Sequence, residues 1–534
     1  MRKTNLSGFY NTIGWSSLLI AVLTLGSRIV GLLRIRIFAS RFGAGPILDT
    51  YYASFRIPDF LMGIFIVGTL SLAALPIITQ YTVKNKEEGK KLVAKLLNLT
   101  FVGMAALCGV TALFAPAIVH LVVPGFSAEA ARNVVMLTRI ILLAQVILSI
   151  ANVVSSALNA IRHFFWVGFA PISYNIGLIL GAVYFYPRYN MIGLGYGVVF
   201  GAVLHTLVLL ADFYYVGFRL MPVIKVDSGA LAILKLYWPR LLTFDLSLLS
   251  LIFASIFGSY LAPGSISVYS LGFDLQAVPV GVIAFAVATA SFTHFAEYFV
   301  AKDVRAFTEL LRASVVRILF YMLPISVVLL LLRSHIVRII YGAGQFNWED
   351  TRGTFNVLGV LAFSLIGQSL VPLFSRALLA RLNTWTPVIS NILSILVTIC
   401  TTVLLVPRLG ILGVAWGYVA GVTFGAMFSY FWLRTVLVAD KEHAALFTGQ
   451  EHILVSHASR ILFGVLLLAV STYCTLFLVA PFLNTHTWLG LVVQSLVSLA
   501  VGGVIYLFVC YGLNLPDVKI FSDILKKINF KFKS

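Results

Sequence analysis

Charge is scarce in this chain, and negative charge is scarcest. Among 534 residues there are 19 Asp and Glu against 38 Lys and Arg. Only 11% of residues are charged, 60% are hydrophobic, and the mean hydropathy is +1.00. A soluble chain of this length needs far more polar surface, so the composition implies an all-α polytopic membrane protein. Cysteine is nearly absent. Cys108, Cys400, Cys474 and Cys510 sit in apolar runs without metal-ligand spacing, which argues against a disulfide framework and suits small buried hydrophobes. There is no phosphate-binding glycine loop followed by lysine and serine, no HExxH and no paired-cysteine motif. The residues therefore predict no built-in ATPase, no metal centre, no cofactor and no enzymatic chemistry. No small-residue cleavage site follows the first apolar run, which reads as an uncleaved first span.

What the chain has in quantity is apolar length. Fourteen segments are long enough to cross roughly 30 Å of hydrocarbon. They lie at about 13–41, 57–81, 92–123, 131–158, 167–187, 192–217, 237–262, 266–298, 313–341, 353–380, 387–406, 411–437, 459–482 and 488–513. With a cytoplasmic N-terminus, the inside loops and the basic tail hold most of the 38 lysines and arginines. The outside loops hold few. The net charge of +19 is thus a topology signal with some attraction to anionic lipid, rather than a nucleic-acid footprint. An even number of spans puts both termini inside.

Against that pattern, residues 27–59 stand out. SRIVGLLRIRIFASRFGAGPILDTYYASFRIPD carries Arg28, Arg34, Arg36, Arg41, Asp49, Arg56 and Asp59 in and between two apolar segments. An arginine at mid-membrane costs about 2.5–3.5 kcal/mol even on the mild insertion scale. Snorkelling accounts for Arg41 as an interfacial anchor and leaves Arg36 undecided. It does not suit Arg28, about 20 Å into the membrane if the helix starts near Trp15. Arg28, Arg34 and Arg56 supply planar forks suited to phosphate oxygens, and Asp49 could pair with one of them in the absence of substrate. The competing reading is a structural ion-pair network, with Asp59 pairing to Arg56 one turn away. Further along, Asp245 and Asp274 are open between a proton or cation site, a counter-ion for the arginines and structural hydrogen bonding.

An internal repeat of close to 220 residues organises the rest. SSALNAIRHFFWVGFAPISYNI resembles SRALLARLNTWTPVISNI, and YPRYNMIGLGYGVVFG resembles VPRLGILGVAWGYVAG. Pro187-Arg188 matches Pro407-Arg408, while Gly197 and Gly201 match Gly417 and Gly421. The expected organisation is a six-helix lobe over 1–217, a linker over 218–236 and a second six-helix lobe over 237–437. A linker over 438–458, a two-helix segment over 459–513 and a basic tail over 514–534 follow. Two similar lobes related by an axis along the membrane normal can rock about a central cleft.

SRIVGLLR, RFGAGPILDTYYASFRIPD, LAPGSIS, the YGAGQF segment and the ALLARLNTWTPV segment together resemble the MurJ (MviN) family of bacterial lipid II flippases. That family belongs to the multidrug/oligosaccharidyl-lipid/polysaccharide exporter superfamily. The resemblance implies fourteen spans in the bacterial cytoplasmic membrane and alternating access. It also implies a substrate of undecaprenyl-diphosphate-linked peptidoglycan precursor, with transient contact to cell-wall synthesis proteins left open. Carried over position by position, the family's cavity arginines and acidic partner fall on Arg28, Arg34 and Asp49, and a basic position before the second-span proline on Arg56. Spans thirteen and fourteen would form a groove for the polyprenyl tail. The chain departs from the family at Met62-Gly63, Val67 and Asp274, where basic or acidic residues are usual. It departs again at Ala254, Thr398 and Thr402, where some members bind sodium. An exporter of another polyprenyl-linked saccharide, a polyprenyl-phosphate enzyme and a non-transporting wall-synthesis scaffold are the alternatives. A drug or cation antiporter fits less well, because cationic substrates want acidic cavities.

Overall fold

The computed structural model describes residues 6–63, 85–161, 163–219, 246–439, 441–485 and 487–518. The helices there are α1 (Leu6–Phe42), α2 (Pro46–Met62), α3 (Lys86–Leu113), α4 (Ala115–Val122) and α5 (Ala128–Ala160). After them come α6 (Phe164–Tyr189), α7 (Met191–Tyr215), α8 (Leu246–Gly258), α9 (Ser265–Val300), α10 (Val304–Leu331) and α11 (Arg333–Tyr341). The chain continues with α12 (Trp348–Leu361), α13 (Ser364–Ala380), α14 (Trp385–Leu409), α15 (Ile411–Val438), α16 (Lys441–Val479) and α17 (Trp488–Gly512). Among the described residues ten helices are long and apolar enough to cross a membrane, and the pair α12–α13, bent by 44°, makes an eleventh. The other three predicted spans overlap α1, α2 and α8. The protein is an all-α, multi-pass membrane protein.

Local chemistry sets the helix ends. α1 stops because Gly43 takes a left-handed φ of 61°, and α2 starts because Pro46 occupies its first turn after an extended Gly45. This start lies eleven residues before the predicted 57, because a hydropathy window excludes the charged turns at Asp49 and Arg56. Asn85, Ser127 and Asp303 cap α3, α5 and α10 by accepting from Glu87, Ala130 and Ala306 amides. Besides the bent pair α12–α13, two predicted spans are broken. α3 gives way to α4 at Phe114, just before Pro116, and α10 gives way to α11 at Leu332. The last helix pair differs in the other direction. α16 begins at Lys441, so its apolar stretch from 459 continues a helix that starts in polar sequence.

The chain forms two compact units, one of residues 1–267 with 343–347, the other of 268–342 with 348–534. In the first, Leu92, Leu96, Val154, Leu158, Leu209 and Phe213 form a core shared by α3, α5 and α7. In the second, Phe295, Leu311, Ile318, Phe374 and Leu433 join α9, α10, α13 and α15.

The 220-residue repeat reappears as packing. A Cβ on Gly197 would lie 2.3 Å from the Cα of Gly181, and one on Gly177 would lie 2.2 Å from the Cα of Gly201. α6 and α7 therefore touch backbone to backbone, as small residues permit in a membrane. The matching contacts in the second unit pair Gly417 with Thr402 and Gly421 with Thr398 across α14 and α15. Even the joints agree, with Asn190 at φ 50° and Gly410 at φ 55°. Thr398 and Thr402, at positions where some relatives were expected to bind sodium, are fully buried against these glycines.

Candidate substrate site in the first unit

The charged stretch folds as α1, a glycine turn and α2, and helical geometry sorts its arginines. Residues seven apart share a face, so Arg34 and Arg41 point one way, while Arg28 and Arg36 lie well round the helix from them. The Arg34 and Arg41 face looks at α6. Leu23 seats against Gly168, Gly26 against Ile172 and Gly31 beside Asn175. At the end of this seam Arg41 Nη1 donates to the carbonyls of Ala182 at 3.1 Å and Val183 at 3.4 Å. Both belong to a widened π-turn, Gly181–Phe185, where the backbone ladder shifts. Arg41 thus ties α1 to α6, a role beyond that of an interfacial anchor.

Arg34 is half-buried two turns below Arg41. It acts electrostatically on the Tyr174 hydroxyl of α6, together with Asp59 and Tyr51 of α2. Gln145 of α5 donates to Asp59 Oδ1 at 3.3 Å, and its own Oε1 is buried without a partner. Four helices therefore bring Arg34, Asp59, Gln145 and Tyr174 into one polar cluster inside an apolar bundle. Gln145 and Tyr174 were not singled out in the sequence. A lone glutamine in the apolar run of α5 is the signal that could have marked one of them.

Arg56 lies elsewhere. It is 6% exposed, donates from Nε to Ser255 Oγ of α8 at 2.9 Å, and stacks 5.8 Å from the Tyr52 ring. Asp49, two turns earlier on the same face, is 2% exposed and accepts three hydrogen bonds. Its Oδ2 takes the Gly264 amide at 2.6 Å, and its Oδ1 takes the Ser267 amide at 2.7 Å and hydroxyl at 2.5 Å. Gly264 and Ser267 sit at the N-terminus of α9, where a carboxylate is favoured by unpaired amides and the helix dipole. Asp49 is a helix cap, which leaves little of its lone-pair capacity for an arginine. The LAPGSIS motif is the other half of that cap.

Arg28 is exposed on α1 beside Leu25 and Ile29, with no hydrogen bond or ion pair among the described residues. The expected clamp therefore divides into Arg28 on an open face, Arg34 in the α6 seam, and Arg56 with Asp49 at the α8–α9 joint. Asp274 is half-buried on α9 between buried Phe273 and Leu275, and Asp245 lies outside the described residues, as does Val67. A second motif docks at the end of α1. Gln345 donates its amide to Ser40 O at 2.8 Å, and Gly344 at φ 61° leaves no room for a Cβ, which would come within 2.2 Å of the same oxygen. Ser40, Arg41, Phe42, Tyr186, Gly344 and Gln345 line a cavity of about 300 Å³ there. A larger one of about 560 Å³, lined by His120, Arg132 and Arg139 among others, contains none of the predicted site residues.

Membrane-crossing helices, a twice-used glycine-faced helix pair and the arginines of α1 define a multi-pass membrane protein of transporter architecture. The family model described as "Lipid II flippase MurJ" matches residues 38–488. The chain belongs to that family. It is 30% identical over 407 residues to a probable lipid II flippase MurJ of Thermotoga maritima, covering 75% of this chain and 82% of the relative. It is 29% identical over 367 residues to one of Buchnera aphidicola, covering 68% and 72%. A solved structure described as lipid II flippase MurJ in an inward closed conformation shares the fold at a TM-score of 0.74. That structure is 23% identical and covers 95% of this chain and 100% of its own.

Proposed function

We propose that the protein is a flippase moving lipid II, the undecaprenyl-diphosphate-linked peptidoglycan precursor, from the inner to the outer leaflet of the bacterial cytoplasmic membrane. The observation that carries this reading is membership of the MurJ family across residues 38–488. The physical problem is desolvation, since a bare diphosphate cannot cross hydrocarbon. Arginines on a membrane-spanning helix answer it, and in this reading Arg28 and Arg34 hold the headgroup while the polyprenyl tail stays in lipid. Arg56 and Asp49 join them when the α8–α9 joint opens. The protein performs no covalent chemistry on its cargo, both termini are cytoplasmic, and residues 1–217 and 237–437 act as the two lobes. A negative-inside potential favours outward movement of an anion by about 2.3 kcal/mol per charge per 100 mV.

The test is lipid II delivery to the outer leaflet in cells depleted of their native flippase and supplied with this chain. Restored delivery of unmodified lipid II supports the proposal. No delivery from a well-expressed, correctly inserted chain sinks it. Delivery of a different polyprenyl-linked saccharide in preference to lipid II replaces the cargo and keeps the mechanism.

A further inference from the structure

The joint between α4 and α5 is built differently from its counterpart one repeat later. At the repeat spacing of 220, Glu129 and Arg132 match Glu349 and Arg352, and α4 with the start of α5 matches α11 with the start of α12. In the second unit that joint is filled by its own side chains. Arg338 lies 5.8 Å over the Trp348 ring, Arg333 lies 5.7 Å over the Phe355 ring, and the two rings stand 6.3 Å apart. Gly359 makes room for them, since a Cβ there would come 2.7 Å from Arg333 Nη1.

In the first unit each of these positions is changed. Ala128 and Val135 stand where the rings are, Leu113 and Ile118 where the stacked arginines are, and Arg139 where the glycine is. What remains is the cavity of about 560 Å³, walled by Ala128 and Val135 and edged by His120, Arg132 and Arg139. Its size is that of a small-molecule pocket. Arg132 and Arg139 are seven residues apart and share one face of α5. Arg139 Nε donates to the Ala112 carbonyl at 2.9 Å, its one hydrogen bond among the described residues, which leaves both Nη groups without an acceptor there. Arg132 and His120 have no hydrogen bond or ion pair among the described residues.

The carboxylates of the first unit do not answer these cations. Asp49 caps α9, Asp59 takes Gln145, Asp212 takes His163, and Glu87 takes Lys90. Glu129, one turn before Arg132, makes no ion pair with it and is not part of the cavity wall. Guanidinium forks without a carboxylate suit phosphate oxygens, and basic pockets between spans at a membrane surface take anionic headgroups. Apolar surface leads away from the cavity. Leu113, Val110 and Val102 are exposed on one face of α3, starting one residue from the carbonyl that Arg139 holds, and Leu143 is exposed one turn past Arg139 on α5. From Leu113 to Val102 is about 16 Å of helix, the depth of one leaflet.

We propose that Arg132, Arg139 and His120 hold the phosphate of an anionic glycerophospholipid, with its headgroup in the cavity and its acyl chains along the exposed face of α3. In the orientation proposed above this lipid belongs to the outer leaflet. The site itself depends neither on that orientation nor on the cargo, and its wall contains no residue of α1, α16 or α17.

The test uses delipidated full-length protein in non-ionic detergent, titrated with phosphatidylglycerol or phosphatidylcholine of matched chains, with bound lipids counted by native mass spectrometry. A128W/V135F refills the cavity with the second unit's two rings and keeps every cation. The wild type is expected to hold one more phosphatidylglycerol than this variant, and no more phosphatidylcholine. R132Q/R139Q, which leaves the cavity open, is expected to bind phosphatidylglycerol at this site about 30-fold more weakly, from two lost cations near the surface. It carries the test by itself should the added rings disturb the fold, and R132K/R139K, which keeps the charge, retains most of the affinity. Equal phosphatidylglycerol counts in the wild type and a folded A128W/V135F, or undiminished affinity in R132Q/R139Q, overturn the proposal. So does displacement of the lipid by equimolar inorganic phosphate, which would make this a site for a free anion, or by equimolar polyprenyl diphosphate, which would make it a cargo site.

Discussion

Asp49 Oδ1 accepts both the amide and the hydroxyl of Ser267, at 2.7 and 2.5 Å, across 218 residues of sequence. With Gly264 on the other oxygen, one side chain of α2 satisfies two N-terminal amides of α9. Asp49→Ala strands those buried donors and should destabilise the protein by about 2–3 kcal/mol. Asp49→Asn keeps one acceptor oxygen and should lose less. Thermal melts of the purified variants check the order. Equal melting of wild type and Asp49→Ala would show that the cap contributes nothing.

The glycine face of α15 offers a test by compensation. A Cβ on Gly425 would meet Ser394 Oγ at 2.3 Å, while Ser394 Cβ lies at an ordinary 3.5 Å. Gly425→Ala alone should therefore cost about 1–3 kcal/mol through overpacking. Removing only the hydroxyl, by Ser394→Ala, should restore most of it in the double variant. A double-mutant cycle measures the coupling, and additive effects would contradict the packing described.

Much of this arrangement is legible in sequence, for physical reasons that also explain the misses. Fourteen apolar runs are visible because lipid demands length and hydropathy, and the repeat is visible because close helix packing demands glycine at fixed spacing, as at Gly197 and Gly417. Helix breaks at Phe114 and Leu332 are hidden because both flanks stay apolar, and α2's true start is hidden by its charges. The arginines are conspicuous, yet which of them share a face depends on α1's rotation against α6. That rotation is set by small contacts such as Leu23 on Gly168, which no hydropathy window senses. Asp49 lies within electrostatic reach of Arg56, but its capping role is hidden because its donors, Gly264 and Ser267, are backbone and hydroxyl groups 215 or more residues away.

The arginines of α1 should separate by function and stability. Arg28 makes no bond within the protein among the described residues, so Arg28→Ala should leave thermal stability within about 0.5 kcal/mol of wild type while lowering lipid II delivery. Arg28→Ala with Arg34→Ala should abolish delivery at unchanged protein level. Arg41→Ala should instead act through stability, because it releases α1 from the carbonyls of Ala182 and Val183. Wild-type delivery by the Arg28, Arg34 double variant would remove both from the headgroup site.

Gly344 gives a final contrast, between a glycine the fold requires and one it does not. At φ 61° a side chain is strained whatever the space, and here the space is also missing, with Ser40 O 2.2 Å from an ideal Cβ. Gly344→Ala must therefore lift the 343–347 segment off the end of α1 and break the 2.8 Å bond from Gln345 to Ser40. Gly109, on α3, has nothing within 4 Å of its Cβ direction, so Gly109→Ala gains helix propensity at no steric cost. The expected outcome is a lower melting temperature and faster proteolysis at the 343–347 segment for Gly344→Ala, and an unchanged or slightly higher melting temperature for Gly109→Ala. If Gly344→Ala melts and resists protease as the wild type does, the segment is not held to α1 by this contact.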